Sequence, residues 1–194
     1  NCKISCKNCI FQNNSTAGEG PAVIAGSTGS SLPCEVSFIA CSFLNNSGGD
    51  TGALSLNAGD YELLYCTFED NQASNQGSTG GAVACSDAGQ NTTIRINDSV
   101  FLRNQAQGKG GAVEITNKQE DGALSYTISD CSFSSNKAGS GGGLYCGNES
   151  EGTVTHSVFS SNEALSLHGG GIYNGGIRKQ GGQMNLNYCL VYEN

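Results

Sequence analysis

The sequence predicts an all-β chain, folded as a right-handed parallel β-helix of about seven turns with about 30 residues per turn. Three observations carry that prediction. A Phe-x-x-Asn phrase recurs along the whole chain, a glycine-rich phrase follows it at a near-constant distance, and alignment on the Phe exposes further apolar columns at alternating spacing.

The first phrase runs through Phe11 and Asn14, Phe43 and Asn46, Phe68 and Asn71, Phe101 and Asn104, Phe133 and Asn136, Phe159 and Asn162, and a degenerate copy, Val191 and Asn194. Steps between copies vary from 25 to 33 residues. The second phrase reads Pro21-Ala22-Val23, Gly52-Ala53-Leu54, Gly81-Ala82-Val83, Gly111-Ala112-Val113, Gly142-Gly143-Leu144 and Gly170-Gly171-Ile172. Ala also recurs two residues after the Asn, at Ala73, Ala106, Ala138 and Ala164.

Taken in chain order, each repeat opens on a strand. Seven residues before the Phe stand Ile4, Val36, Tyr61, Ile94, Tyr126, Gly152 and Met184, and five before it Cys6, Phe38, Leu63, Ile96, Ile128, Val154 and Leu186. A period of two with apolar residues on one side is a strand with one buried face. Two before the Phe come Cys9, Cys41, Cys66, Ser99, Cys131, Ser157 and Cys189, in register with the Phe but out of parity with the column at minus five. A bulge or corner must lie between. The Phe then points inward and the Asn marks a second corner, where stacked amides bond to one another and to backbone. Glycine before the next strand reads as a corner needing positive φ or close backbone approach. That strand points Val, Leu or Ile inward and polar or mixed residues such as Ser55 and Glu114 outward. Two or three strands of this length cannot bury their own apolar stripe, so stacking of successive repeats has to supply the core. Leucine-rich, ankyrin and propeller repeats need Leu columns, helices or longer periods that this chain lacks.

The paired phrases, Phe-x-x-Asn and Gly-Gly-Ala-[Val/Ile/Leu], resemble the repeat of the polymorphic outer-membrane proteins of chlamydiae, an autotransporter adhesin family, and more broadly a pectin-lyase-like β-helix. The resemblance extends over residues 1–194. It implies a surface-exposed passenger, rich in cysteine, that binds ligands on a host or neighbouring cell. The family's motif positions fall on the Phe and Asn residues named above. Two features depart from the pattern: no C-terminal membrane barrel is present, and the first two and last two glycine phrases deviate from Gly-Gly-Ala.

Composition narrows the function. Nine Lys and Arg against 17 Asp and Glu give a net charge of -8, without the clustered cations that a nucleic-acid or anionic-membrane binder requires. No apolar run is long enough for a membrane-spanning helix, and residues 1–194 read as a single β-helix domain excerpted from a longer chain. The 10 cysteines point to an oxidising compartment. Cys85 and Cys146 occur only in turns that also carry Cys two before the Phe, which suggests within-turn disulfides Cys66–Cys85 and Cys131–Cys146. The other reading is buried thiols acting as small apolar groups. Cys34 with Cys41, and Cys2 or Cys6 with Cys9, are weaker pairings, and stacked Cys9 and Cys41 are also within bridging reach.

Sequons stand at Asn13, Asn14, Asn45, Asn91, Asn97 and Asn148. In a eukaryotic source glycans would suit Asn13, Asn45, Asn91 and Asn148, which fall in turns. Three before the Phe, Asp98, Asp130 and His156 form the one outward polar column worth testing for metal binding or acid–base work. His168 and the glycines after it imitate an esterase oxyanion loop without its nucleophile elbow. No cofactor, metal site or catalysis is expected. The expected role is a non-catalytic extracellular or cell-surface rod, an adhesin passenger whose loops 71–80 and 117–122 present contacts. A subunit of a glycosylated extracellular filament and a pectin-lyase-like carbohydrate-active or carbohydrate-binding module are the alternatives. Expected partners are a protein or glycan ligand on another cell surface, or further copies of the chain end to end.

Overall fold

A computed structural model describes residues 2–26, 34–86, 91–117, 123–147, 149–166, 168–175 and 182–194. Among these residues the regular structure is all β, and the strands stack in four parallel sheets. None forms a helix long and apolar enough to cross a membrane.

The first sheet holds seven strands: Cys2–Lys7, Cys34–Ile39, Gly59–Leu64, Thr92–Asn97, Leu124–Ser129, Ser150–Thr155 and Gln183–Asn187. The second, also seven-stranded, holds the Phe: Ile10–Gln12, Ser42–Leu44, Thr67–Glu69, Val100–Leu102, Ser132–Ser134, Val158–Ser160 and Leu190–Tyr192. A third consists of two-residue strands, Ser47–Gly48, Gln72–Ala73, Gln105–Ala106, Lys137–Ala138 and Glu163–Ala164. The fourth runs Val23–Ala25, Leu54–Asn57, Val83–Ser86, Val113–Thr116, Leu144–Gly147 and Ile172–Asn174. Each repeat is thus one turn of a β-solenoid. Five turns have a strand in all four sheets, fewer than the seven expected. The first turn meets the third sheet only through a Ser15–Ser47 bridge, and the seventh has strands in the first two sheets alone.

The expected parity change before the Phe is a left-handed residue. Asn8, Ala40, Tyr65, Asp98, Asp130, His156 and Tyr188 all have φ of 49–55°. L-residues pay about 1–2 kcal/mol there, yet the backbone N–H of Ala40, Tyr65 and Asp98 still reaches the next turn, at Leu64 O (2.8 Å), Asn97 O (3.1 Å) and Ser129 O (3.1 Å). The corner bends the chain without breaking the ladder, so its conformation is imposed by stacking and accepts Ala, Tyr, Asp or His alike. A second left-handed column, two after the Phe, comprises Asn13, Asn45, Asp70, Arg103, Ser135, Ser161 and Glu193. Between this corner and the glycines lies the third sheet, too short to show alternation. Its small-residue ladder Ala73, Ala106 and Ala138 is fully buried. Both roles expected of the glycine phrase occur: Gly80 has φ +62°, and a Cβ on Gly81 would lie 2.0 Å from Gly111 O.

The core is built from the predicted columns. Phe43, Phe68, Phe101, Phe133 and Phe159 are fully buried. Together with Phe11 they stack face on face, centroids 4.5–4.8 Å apart and planes within 5°. Tyr61, Tyr126, Leu63, Ile94 and Ile96 close the first-sheet side, and Leu54, Val83, Val113, Ile115 and Leu144 the fourth. On the fourth sheet the outward side is covered as well. Glu114 and Ser55 face away from the core but are buried, with 1% and 3% exposure, since other segments lie over that side: Ser55 Oγ donates to Glu19 Oε2 at 2.9 Å, and Lys109 Nζ sits 4.9 Å above the Tyr145 ring.

Candidate binding surface

The Asn column is structural throughout. From Asn46 onward each Oδ1 accepts from the backbone N–H and the Nδ2 of the Asn one turn earlier, and each Nδ2 also donates to a Phe carbonyl of the preceding turn. Asn46, Asn104 and Asn136 are fully buried, and Asn71 and Asn162 nearly so. Asn13 and Asn45, the sequon residues at the left-handed corner, are exposed, as is Asn91; Asn148 lies outside the described residues.

Of the four cysteines expected to pair within turns, Cys66, Cys131 and Cys146 carry unlinked thiols. The corner turns Cys66 Sγ onto the Phe38 and Leu64 carbonyls, at 3.3 and 3.5 Å, and Cys131 Sγ onto those of Ile96 and Ser129, at 3.5 and 3.1 Å. Cys146, on the fourth sheet, has the Tyr126 hydroxyl as its partner instead. Burial pushes Cys66 up to about 11 and Cys131 and Cys146 up to about 12.

Asp98, Asp130 and His156 do form one exposed column, being the left-handed corner residues of successive turns, and His156 stacks on Tyr188 with centroids 5.1 Å apart. No group of three or more metal-ligating side chains gathers among the described residues. Of the loops expected to carry contacts, the tip of 71–80 is exposed from Ser74 to Gly77, whereas 118–122 lies outside the described residues.

An open cleft lies on the outer face of the first sheet. Strands Cys2–Lys7, Cys34–Ile39, Gly59–Leu64 and Thr92–Asn97 floor an open cavity of about 370 Å³ lined by Lys3, Ser5, Glu35, Ser37, Asp60, Glu62 and Arg95. Register sets the order. Lys3, Glu35 and Asp60 are successive neighbours in one outward column, and Ser5, Ser37, Glu62 and Arg95 in the next but one. Lys3 Nζ pairs with Glu35 Oε2 at 2.8 Å, which raises the lysine and lowers the carboxyl, in each case chiefly through that hydrogen bond. Ser37 Oγ donates to Glu62 Oε2 at 3.3 Å. Asp60 and Arg95 have no ion-pair partner among the described residues, unlike Arg103, held by Glu69 and by Asp70, or Lys137, 2.8 Å from Glu163. The cleft therefore presents both signs of charge beside hydroxyls, a surface suited to a polar ligand with several donors and acceptors. Counting eight and six residues back from each Phe brings these side chains together in the sequence; they escape notice because, unlike the core columns, they do not repeat from turn to turn.

Residues 130–147, which carry Phe133, Asn136 and the Gly142–Leu144 phrase, match the Chlamydia polymorphic membrane protein repeat. The chain is also similar to "Probable autotransporter YfaL" of Escherichia coli (strain K12), 30% identical over 131 residues, 63% of this chain. It spans about 10% of that protein's length. No solved structure gives a significant match.

Proposed function

We propose that this chain, whose turns are repeats of the polymorphic-membrane-protein type, is a non-catalytic segment of a cell-surface passenger that adheres to another surface through the first-sheet cleft. The single observation behind the reading is the coincidence of autotransporter-type repeats with a polar cleft whose Asp60 and Arg95 have no ion-pair partner among the described residues. Asp98, Asp130 and His156, the residues expected for acid–base work, are strung along a corner outside the cleft. A protein or glycan ligand on the opposing surface would meet hydroxyls and both charges on one rigid face. The test compares binding of the purified chain to a panel of cell surfaces before and after Asp60→Ala with Arg95→Ala, using Lys137→Ala on another sheet as control. Loss of binding in the double variant alone supports the reading; equal binding by all three sinks it.

A further inference from the structure

We propose that Cys9 is an oxidation site, forming with Cys41 a disulfide that ties the first turn to the second.

Three observations converge on this pair. Cys9 and Cys41 stand two residues before Phe11 and Phe43, which are register partners, and Ser42 N–H donates to Cys9 O at 2.9 Å. Neighbours in such a column have Cα atoms ~4.8 Å apart, inside the 4.4–6.8 Å range of disulfides. The Cys9 thiol touches two others, Cys6 in its own turn and Cys41 in the next. Cys41 Sγ in turn lies 3.5 Å from Cys6 O, so the three sulfurs gather at one corner. Further along the column Cys66 faces Cys41, and Ser99 then separates this group from Cys131.

Access and register together decide which thiol reacts first. Cys41 and Cys66 are 1% exposed, while Cys6 and Cys9 are both half-buried at the edge of the core. A small-molecule disulfide such as glutathione disulfide can reach these two and no deeper, and of the two it is Cys9 that has Cys41 as its column neighbour. The Cys9 thiolate attacks one sulfur, the glutathione S–S bond breaks, and one glutathione leaves as its thiol. Cys41 then attacks Cys9 Sγ in the mixed disulfide and expels the second glutathione. Two cysteine thiols are oxidised, one glutathione disulfide is reduced to two thiols, and the protons of Cys9 and Cys41 pass to them through water. Cys41 outranks Cys6 as the resolving thiol because it is the column neighbour; the register partner of Cys6 is Phe38.

The folded chain is incubated with glutathione disulfide, its remaining thiols are capped with N-ethylmaleimide after denaturation, and the peptides are mapped by mass spectrometry. The expected product has lost two hydrogens and yields a linked peptide containing Cys9 and Cys41. C6S retains that link, and C41S leaves Cys9 joined to glutathione. Recovery of Cys9 capped with N-ethylmaleimide, or linked to Cys6 or any other cysteine, overturns the proposal.

Discussion

Asn104 Oδ1 accepts two hydrogen bonds from Asn71, one from its backbone N–H at 3.1 Å and one from Nδ2 at 2.9 Å. A single carbonyl oxygen thereby satisfies two buried donors of the turn before it, while Asn104 Nδ2 serves Phe68 O and Asn136 Oδ1, each at 3.0 Å. An isosteric carboxylate could accept but not donate, and would bring a buried charge.

Asn104→Ala removes four hydrogen bonds and takes the side-chain partner from two buried groups, the Asn71 N–H and Phe68 O, whereas Asn71 Nδ2 keeps Phe43 O and Asn136 Oδ1 keeps the backbone N–H of residue 104. Each unsatisfied group costs about 1–3 kcal/mol, so the total loss should be on the order of 4 kcal/mol. Asn14→Ala, half-buried in the first turn, should cost far less. Urea unfolding of both variants checks the ranking; equal losses would mean that the ladder is not cooperative.

Phe101 is fully buried between Phe68 and Phe133, its ring 4.8 and 4.7 Å from theirs. Phe101→Ala should cost about 3–5 kcal/mol, because two stacked neighbours cannot close the gap while the backbone ladder holds the turns apart. A near-neutral melting shift would contradict the inward ladder.

Glycine replacements should separate sharply by position. A Cβ at Gly81 would meet Gly111 O at 2.0 Å and the Gln105 backbone at 2.6 Å, all atoms fixed by the ladder. Gly81→Ala should therefore prevent stable folding or shift the melting midpoint by many degrees. At Gly77, φ is +85° but the space is open, and Gly77→Ala should cost only about 1–2 kcal/mol of backbone strain.

Alkaline pH should destabilise the chain. Burial raises Cys66 to about 11 and Cys131 to about 12 from an ordinary value of 9.0. The unfolded thiols ionise first, so their contribution is intact below pH 9 and is lost as pH rises toward 11–12. Each contributing thiol should remove about 1.4 kcal/mol per pH unit in that window. Cys131→Ser, the residue found at Ser99 and Ser157 in the same column, should flatten the profile measured by denaturant unfolding between pH 8 and 11.

What the sequence reveals and what it hides follow from one distinction, between side chains that must be the same in every turn and those that need not be. Phe, Asn and the apolar columns repeat because each packs on its own kind, so alignment finds them. The left-handed corner at Asn13, Asn45, Asp70 and Arg103 is occupied by dissimilar residues because only their backbone is constrained, and no composition signal marks it. The covering of the fourth sheet's outward side is hidden for another reason: Glu19 bonds Ser55 and Lys109 sits over Tyr145, both approaching from elsewhere on the solenoid. The cleft of Lys3, Glu35, Asp60 and Arg95 is legible only as columns, never as a motif. Cysteine spacing suggests partners within a turn, but the corner turns Cys66 and Cys131 onto main-chain carbonyls, and Cys146 sits against the Tyr126 hydroxyl.

The Phe43-to-Phe68 segment and the Phe68-to-Phe101 segment differ by a quarter of their length, 25 residues against 33, yet their ring separations are 4.7 and 4.8 Å. The surplus sits largely between a fourth-sheet strand and the next first-sheet strand, which one residue bridges at Asn57–Gly59 and a longer segment at Ser86–Thr92, and between Asn71 and Val83. The solenoid behaves as a ruler whose graduations ignore how much chain is written between them. Segments at those two places can lengthen, shorten or exchange their sequence from one descendant to the next while the distance from one end of the first sheet to the other stays the same.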